Sequence, residues 1–351
     1  MSADSPPLVI GVLGEVKASV GGRPVDLGGP RQRADEDTGS FWDEALAIAH
    51  TRGSLFSVLA AHLWRGHWAW LAGDLLEAQQ SLLAANEQNV RWGGIPATGI
   101  SYGEAFLIEL LIDRGAYADA RAFYEQVRPR PRTGDGARLF DHAYSRLLLA
   151  EGDPAAALAV LDRWTGALSR PANPAWFAAP ALRARALHAL GRTGEARAIA
   201  TDQVALARRR GAPTTVGRAL LLAGELGDGP EALAALRESA AVLAGTRSRL
   251  HHARALAAVA RALPPGAERV AAWRAALELA DTCGAQGMRR DIAAQLTRAG
   301  VPVPPPAPAA PTATQRRIAA MAAEGIDERG IAEALFLTPA AVRAVLAGDL
   351  K

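Results

Sequence analysis

Residue types that commonly perform catalysis are few in this chain and lack the spacing that catalysis requires. Lysine occurs only at positions 17 and 351, and neither has the Gly-Lys-Ser/Thr context of a phosphate-binding loop. The chain contains no His-Glu-x-x-His motif. The histidine pairs at 62 and 67 and at 251 and 252 do not place two imidazoles on one helical face. We therefore expect no enzymatic activity, no catalytic residue, no metal and no cofactor.

A different group of residues, in the last forty positions, has the types needed to contact a polyanion such as DNA. Arg343 is the one side chain of its predicted helix that can make a bidentate contact to a base edge. Arg316 and Arg317 lie on an earlier predicted helix and could contact phosphates. The complete set of predicted DNA-binding residues is Arg316, Arg317, Thr338, Ala340, Ala341, Arg343 and Ala344.

Three short helices are predicted to position these residues. Ile318 and Met321 recur at helical spacing in the first. Asp327 can cap the second helix, and Thr338 can cap the third, with Pro339 in its first turn. Two helices joined by a tight turn form a helix-turn-helix, which places its second helix in the major groove of DNA.

This segment resembles the LuxR-type helix-turn-helix. The matching residues are Gly325, Ile326, Arg329, Ile331, Ala332, Leu335–Pro339, Val342 and Leu346. The resemblance implies a transcriptional regulator. The chain departs from the family pattern at Gln315, where Glu is usual, and on the recognition helix, where basic residues, Thr and His are usual. Alanine or valine occupies those recognition-helix positions, at 340, 341 and 345.

Residues 1–40 carry a separate pattern of short strands. Leu8–Leu13 and Val16–Val20 read as strands, and Gly21–Pro24 reads as a turn before a third short strand. This stretch resembles the opening of the SARP-type DNA-binding domain, truncated after Arg33, because no apolar helix follows. We expect residues 1–40 to be a β segment that binds no DNA by itself, and the sequence leaves open whether this segment is ordered or disordered.

Residues 41–300 are predicted to form helical repeats. A glycine followed five residues later by alanine recurs at Gly73, Gly115, Gly152, Gly191, Gly227 and Gly266. This pattern predicts a helix, a turn at glycine, and a second helix whose alanine packs against the first. Stacked units of this kind are typical of a tetratricopeptide-like superhelix, and they resemble the helical arm of large LuxR-type regulators. That arm binds an effector in the family, whose ATP-binding domain is absent here.

The chain therefore divides into four predicted parts: a truncated SARP-like β segment (1–40), tetratricopeptide-like repeats (41–300), a proline-rich linker (301–311) and a LuxR-type helix-turn-helix (312–351). The predicted fold class is all-α: a helical-repeat superhelix with a C-terminal three-helix helix-turn-helix and a short N-terminal β-strand remnant. No apolar run has membrane length and no signal peptide is visible, and Cys283 is the only cysteine. A cytoplasmic protein is expected.

One stretch of the chain is rich in tryptophan and another is rich in arginine. Trp64, Trp68 and Trp70 could form a ligand cage, although core packing is the commoner role of clustered aromatics. The arginines of 128–132 are predicted to be solvated charges on a loop.

Two functions remain open. The first is a transcriptional regulator whose helix-turn-helix binds double-stranded DNA and whose repeats bind a protein or small-molecule effector. The second is a repeat scaffold for protein interactions whose degenerate helix-turn-helix no longer binds DNA. The charge of residues 312–351 supports the second, because five basic residues are balanced by five acidic ones and DNA affinity depends on phosphate neutralisation.

Overall fold

The structure is a computed structural model, and it describes residues 8–11, 17–20, 23–25, 46, 48, 55–91, 98–164, 178–306, 311–335, 337 and 339–347. Of residues 1–40, the structure describes only the three strands given below. The other predictions for residues 1–40, and the prediction for Thr338, concern residues outside the described ranges.

Three short strands occur near the start of the chain. β1 is Leu8–Gly11, β2 is Lys17–Val20 and β3 is Arg23–Val25, and they pair in the order β1-β2-β3. Both pairings are antiparallel, with Leu8 opposite Val20 and Val20 opposite Arg23. The resemblance of this segment to a SARP-type domain stays a prediction.

From Leu55 onward, every regular element in the described residues is an α-helix, in agreement with the predicted helical class. The helices are α1 (Leu55–Ala72), α2 (Leu75–Arg91), α3 (Thr98–Arg114), α4 (Tyr117–Val127), α5 (Gly134–Ala150), α6 (Pro154–Asp162), α7 (Ala179–Ala189), α8 (Thr193–Arg210), α9 (Pro213–Leu226), α10 (Gly229–Ala244), α11 (Arg249–Ala262), α12 (Ala267–Cys283), α13 (Gln286–Arg298), α14 (Ala313–Ala323), α15 (Glu328–Leu335) and α16 (Pro339–Leu346).

The recurring glycines mark the turns of successive helical hairpins. Each of the six predicted glycines lies between an odd-numbered helix and the even-numbered helix that follows it, from α1–α2 to α11–α12. The alanines that follow the first four glycines, at 78, 120, 157 and 196, are completely buried. The later alanines differ, because Ala271 is exposed. The predicted order of helix, glycine turn and helix is therefore observed at all six positions, and the alanine is fully buried in the first four hairpins.

The hairpins pack so that their odd-numbered helices form an inner layer. Along the chain α1 contacts α3, α3 contacts α5, and the series continues through α7 and α9 to α11. α11 then contacts α1, and α13 contacts α3. We call α1–α13 the helical array. Its inner layer closes on itself, which the repeat pattern did not predict.

Two contacts made by the last hairpins close the array. Arg249, the first residue of α11, donates from Nε to the carbonyl oxygen of Ala72 at 3.0 Å and pairs with Asp74. The Gly115 turn meets the start of α13, where a Cβ on Gly287 would lie 2.7 Å from the Gly115 Cα. Glycine is needed on both sides because the two backbones approach too closely for a methyl group.

The hydrophobic core also joins the first helices of the array to the last ones. A single cluster of buried side chains joins α1–α5 to α11–α13, from Leu63 and Ile108 to Trp273 and Leu296. Val301 and Val303 pack against this cluster, and Arg289 donates to the carbonyl oxygen of Pro304 at 2.6 Å. The start of the proline-rich segment therefore lies along the array.

The three C-terminal helices share a small core of their own, as the sequence predicts. Ile318, Ile331 and Val342 are completely buried, with Leu335 and Ala332 beside them. Helices α14, α15 and α16 each contact the other two. We call α14–α16 the C-terminal module.

The close approach at the Gly115 turn gives a stability prediction. Gly287→Ala places a methyl group against backbone that cannot easily move, so we expect the free energy of unfolding to fall by about 1–3 kcal/mol. Gly194 is the matched control, since it is also the second residue of its helix, and nothing lies within 4 Å of its added Cβ. Gly194→Ala should leave stability unchanged or raise it by up to about 1 kcal/mol. Urea denaturation measures both, and equal effects would contradict the closure.

Candidate functional site

A cavity of about 540 Å³ lies between the inner helices. Its apolar walls include Trp70 of α1, Leu182 of α7, Leu222 of α9 and Trp273 of α12. Charged side chains from α3, α5, α7, α9, α11 and α13 also line it: Glu109, Asp113, Arg146, Arg185, Arg218, Glu225, Arg254, Arg261 and Asp291. Leu71 and Tyr117, which line the same cavity, are exposed, so the cavity reaches solvent beside them.

Asp113 is the most buried charge of this group, with 1% of its side chain exposed. Trp70 donates from Nε1 to one carboxylate oxygen at 2.8 Å. Arg146 and Arg254 both donate to the other oxygen. The carboxylate therefore binds α1, α5 and α11 to α3, which is the arrangement that a buried charge requires.

Glu109 lies one helical turn before Asp113 and shares a partner with it. Its two oxygens bind His142 Nδ1 at 2.7 Å and Arg146 Nη1 at 3.0 Å. Burial alone would raise the pKa of Glu109, but His142 and Arg146 lower it to about 2. The balance is similar at Asp113, where Arg146 and Arg254 outweigh burial and lower the pKa of the carboxyl. Both carboxylates are therefore ionised at neutral pH.

Arg218 of α9 has a different environment. It is half-buried, lines the cavity, and makes no hydrogen bond or ion pair with any described residue. Burial lowers the pKa of Arg218; of the charges around it, Glu109 acts in the opposite direction, whereas Arg254 and Arg146 lower the pKa further. The guanidinium stays charged, so a cation with no ion-pair partner in the described residues lines the cavity.

Two histidines complete the polar lining. Burial, followed by the charges of Arg218 and Arg254, lowers the pKa of His251 well below its usual value, so this imidazole is neutral at pH 7. Its Nδ1 lies 2.9 Å from Ser248 Oγ. The Nε2 atom of His142 is buried and has no hydrogen-bond partner in the described residues.

The C-terminal module holds the predicted DNA-binding residues. Arg343 is 67% exposed, and its Nη2 and Nε lie 2.9 and 3.0 Å from Glu328 Oε2 of α15. Arg316 and Arg317 are exposed, and Arg316 donates to the carbonyl oxygen of Pro311 at 2.5 Å. Thr338 lies outside the described residues, and for Ala340, Ala341 and Ala344 the structure describes only their backbone on α16.

The N-terminus of α14 is bound to the first hairpin of the array. Thr312 forms a capping box with Gln315, and its hydroxyl also donates to Gln80 Oε1 at 2.7 Å. Arg65 of α1 donates to Thr314 Oγ1 at 3.1 Å and pairs with Glu77 of α2 at 2.8 Å. The module therefore begins in direct contact with α1 and α2.

The sequence analysis missed the charged residues of the cavity. One signal was present: Glu109 and Asp113 are four residues apart in α3, and the residues between them and before Glu109, at 105–108 and 110–112, are apolar. Carboxylates in such a stretch are almost never buried without partners. The aromatic stretch has a mixed role. Trp68 packs against the core, whereas Trp70 also lines the cavity and binds Asp113.

The arginines of residues 128–132 require a correction, because two of them are not solvated charges. Arg130 and Arg132 both pair with Glu104, whose side chain is 2% exposed. Arg132 also lies over the ring of Phe140, 3.5 Å from its centroid. This loop therefore holds a buried carboxylate in place.

No protein-family model matches the chain, and no curated protein sequence is significantly similar to it. Among the helices of the described residues, none combines the length and apolar character that spanning a bilayer requires. The described residues also contain no grouping of three His, Cys, Asp or Glu side chains with metal-binding geometry.

The lowered pKa of Glu109 predicts an acid-dependent loss of stability. The folded-state pKa of about 2 lies below the ordinary 4.5, so the stabilisation is complete above pH 4.5 and decreases as the pH falls towards 2. Between pH 6 and 3.5 we expect this carboxylate to lose about 1 kcal/mol of stabilisation.

Urea denaturation of wild type and Glu109→Gln over that range measures the difference, which should shrink as the pH falls. Glu238→Gln, which removes an exposed carboxylate paired with Arg208, is the control and should keep the wild-type pH dependence. A constant difference between wild type and Glu109→Gln would contradict the assignment.

Proposed function

We propose that this protein is a DNA-binding transcriptional regulator: the C-terminal module contacts the DNA, and the array, a tetratricopeptide-like helical superhelix, binds an effector or a protein partner. The resemblance of the module to the LuxR-type helix-turn-helix supports the DNA-binding part. The proposed role implies a cytoplasmic location. Of the predicted contacts, Arg343 would reach a base edge, and Arg316 and Arg317 would contact phosphates.

The observation that carries this proposal is the exposure of α16. Its inward face is occupied by Val342 and its outward face presents Arg343, 67% exposed. Within the described residues its main helix contacts are to α14 and α15, so the array does not cover it. An exposed, short helix supported by two others is what a major-groove reader requires.

One observation favours a protein-interaction scaffold instead. Arg343 is already paired with Glu328, so DNA would have to compete with that carboxylate. With no net charge on residues 312–351, the electrostatic attraction to phosphates is small. Whether DNA can replace Glu328 as the partner of Arg343 therefore distinguishes the two functions.

Variants of this pair test the DNA-binding function. The wild type should retain duplex fragments from sheared genomic DNA at low ionic strength, and a retained duplex then serves for measuring dissociation constants by fluorescence anisotropy. Arg343→Ala should weaken binding about 5- to 100-fold, the cost of one base contact. Glu328→Gln should strengthen it roughly 1.4- to 5-fold, because it releases Arg343 from an exposed ion pair.

Arg329 provides the matched control, since it is an exposed arginine paired with a glutamate, Glu333, on α15. Arg329→Ala removes the same charge and should weaken binding less than Arg343→Ala. If wild type retains no DNA, or if Glu328→Gln weakens binding as Arg343→Ala does, the scaffold function is favoured.

A further inference from the structure

The cavity of the array carries an excess of positive charge. Its most buried network contains two carboxylates, Glu109 and Asp113, and both are neutralised by Arg146 and Arg254. Arg218 lines the same cavity and adds a third guanidinium with no carboxylate partner in the described residues. The network therefore has one unmatched positive charge. Desolvating such a charge costs free energy unless an anion accompanies it.

A second, independent polar atom in the cavity also lacks a partner. His142 is 8% exposed, and its Nε2 makes no hydrogen bond within the described part of the chain. The other ring nitrogen, Nδ1, binds the ionised Glu109, which only accepts hydrogen bonds, so Nδ1 carries a proton. Nε2 is therefore the ring atom left for a further hydrogen bond. A buried polar atom of this kind normally has a partner, and the described residues supply none.

The rest of the cavity is suited to an apolar body. Trp70, Leu182, Leu222 and Trp273 come from four different helices and line it together. The volume of about 540 Å³ falls in the range of roughly 300–1,000 Å³ that small-molecule sites occupy. An extended peptide of several residues would need more space than this.

We propose that the cavity is a binding site for a small organic anion, whose carboxylate or similar group binds Arg218 and whose apolar body lies between the tryptophan side chains. A polar group of the ligand would form a hydrogen bond with His142 Nε2. This site goes beyond the proposed DNA binding and does not depend on it, because every residue involved belongs to the helical array.

Replacing Arg218 tests whether this residue binds a ligand or stabilises the fold. A residue that holds the fold together should lower stability when it is replaced. Arg218 makes no hydrogen bond or ion pair with a described residue, and the attraction of Glu109 and Asp113 is opposed by repulsion from Arg254 and Arg146, so its replacement mainly removes the cost of burying a charge. Arg218→Gln should therefore keep or raise the thermal midpoint of the ligand-free protein while it loses anion binding, which is the pattern expected of a functional site.

The test uses two naphthalene probes that differ in charge, 2-naphthoate and 2-naphthalenemethanol, with full-length protein and isothermal titration calorimetry. Wild type should bind 2-naphthoate with a dissociation constant below 1 mM and more tightly than the alcohol. Arg218→Gln should weaken 2-naphthoate binding by at least about tenfold, the loss expected for one charge-assisted hydrogen bond, and change alcohol binding by less than about threefold.

Arg274→Gln is the control, because Arg274 is exposed on α12 and does not line the cavity. It should bind both probes as wild type does. Competition with 50 mM phosphate should not displace 2-naphthoate, because an inorganic ion cannot fill the apolar walls.

The proposal is overturned if wild type fails to bind 2-naphthoate, if Arg218→Gln binds it as tightly as wild type, or if phosphate displaces it fully. A lower thermal midpoint for Arg218→Gln would also overturn it, since Arg218 would then be structural. None of these outcomes bears on DNA binding, whose own test uses residues of the C-terminal module.

Discussion

The rest of the structure depends on the compensation of one buried charge, the carboxylate of Asp113. Its side chain is 1% exposed, and its partners come from α1, α5 and α11, which are far apart in the sequence. A buried carboxylate is tolerated only when its hydrogen bonds are made, so the helices that supply Trp70, Arg146 and Arg254 have to meet at α3. The closure of the inner layer and the formation of the cavity follow from that requirement. Arg218 makes no ion pair in the described residues, because Glu109 and Asp113 are already paired with Arg146 and Arg254.

The sequence predicted the hairpins and the C-terminal module well, because both depend on local patterns. The recurring glycines end one helix before the next begins, and Ile318, Ile331 and Val342 follow helical spacing. The closure could not be predicted in this way, because Arg254 and Asp113 are separated by 141 positions and periodicity carries no information about such pairs. The solvated state expected for Arg130 and Arg132 was wrong for the same reason: their partner, Glu104, lies on another helix.

Helix α1 connects the two candidate sites. Near its middle, Arg65 binds Thr314 at the start of the C-terminal module, and five residues later Trp70 binds Asp113 and lines the cavity. Both contacts are made by one continuous helix, so a shift of α1 on filling the cavity would be transmitted to the N-terminus of α14. The proline-rich segment adds a second connection, since its first residues pack on the array. If the array binds an effector and the module binds DNA, as we propose, these contacts provide a direct connection between them.

The central claim is that α11–α13 return to α1, and an engineered disulfide tests it most directly. A Cβ placed on Gly73 would lie 3.0 Å from Sγ of Cys283, the only cysteine of the chain and a free, buried thiol. This distance suits a disulfide.

The variant Gly73→Cys should therefore form an intramolecular disulfide on mild oxidation, seen as faster migration in non-reducing electrophoresis and loss of both free thiols. Gly152→Cys, at a glycine with a similar positive φ and no neighbouring atom within 4 Å, should remain reduced. If Gly73→Cys also keeps two free thiols, the array is not closed and the account is wrong.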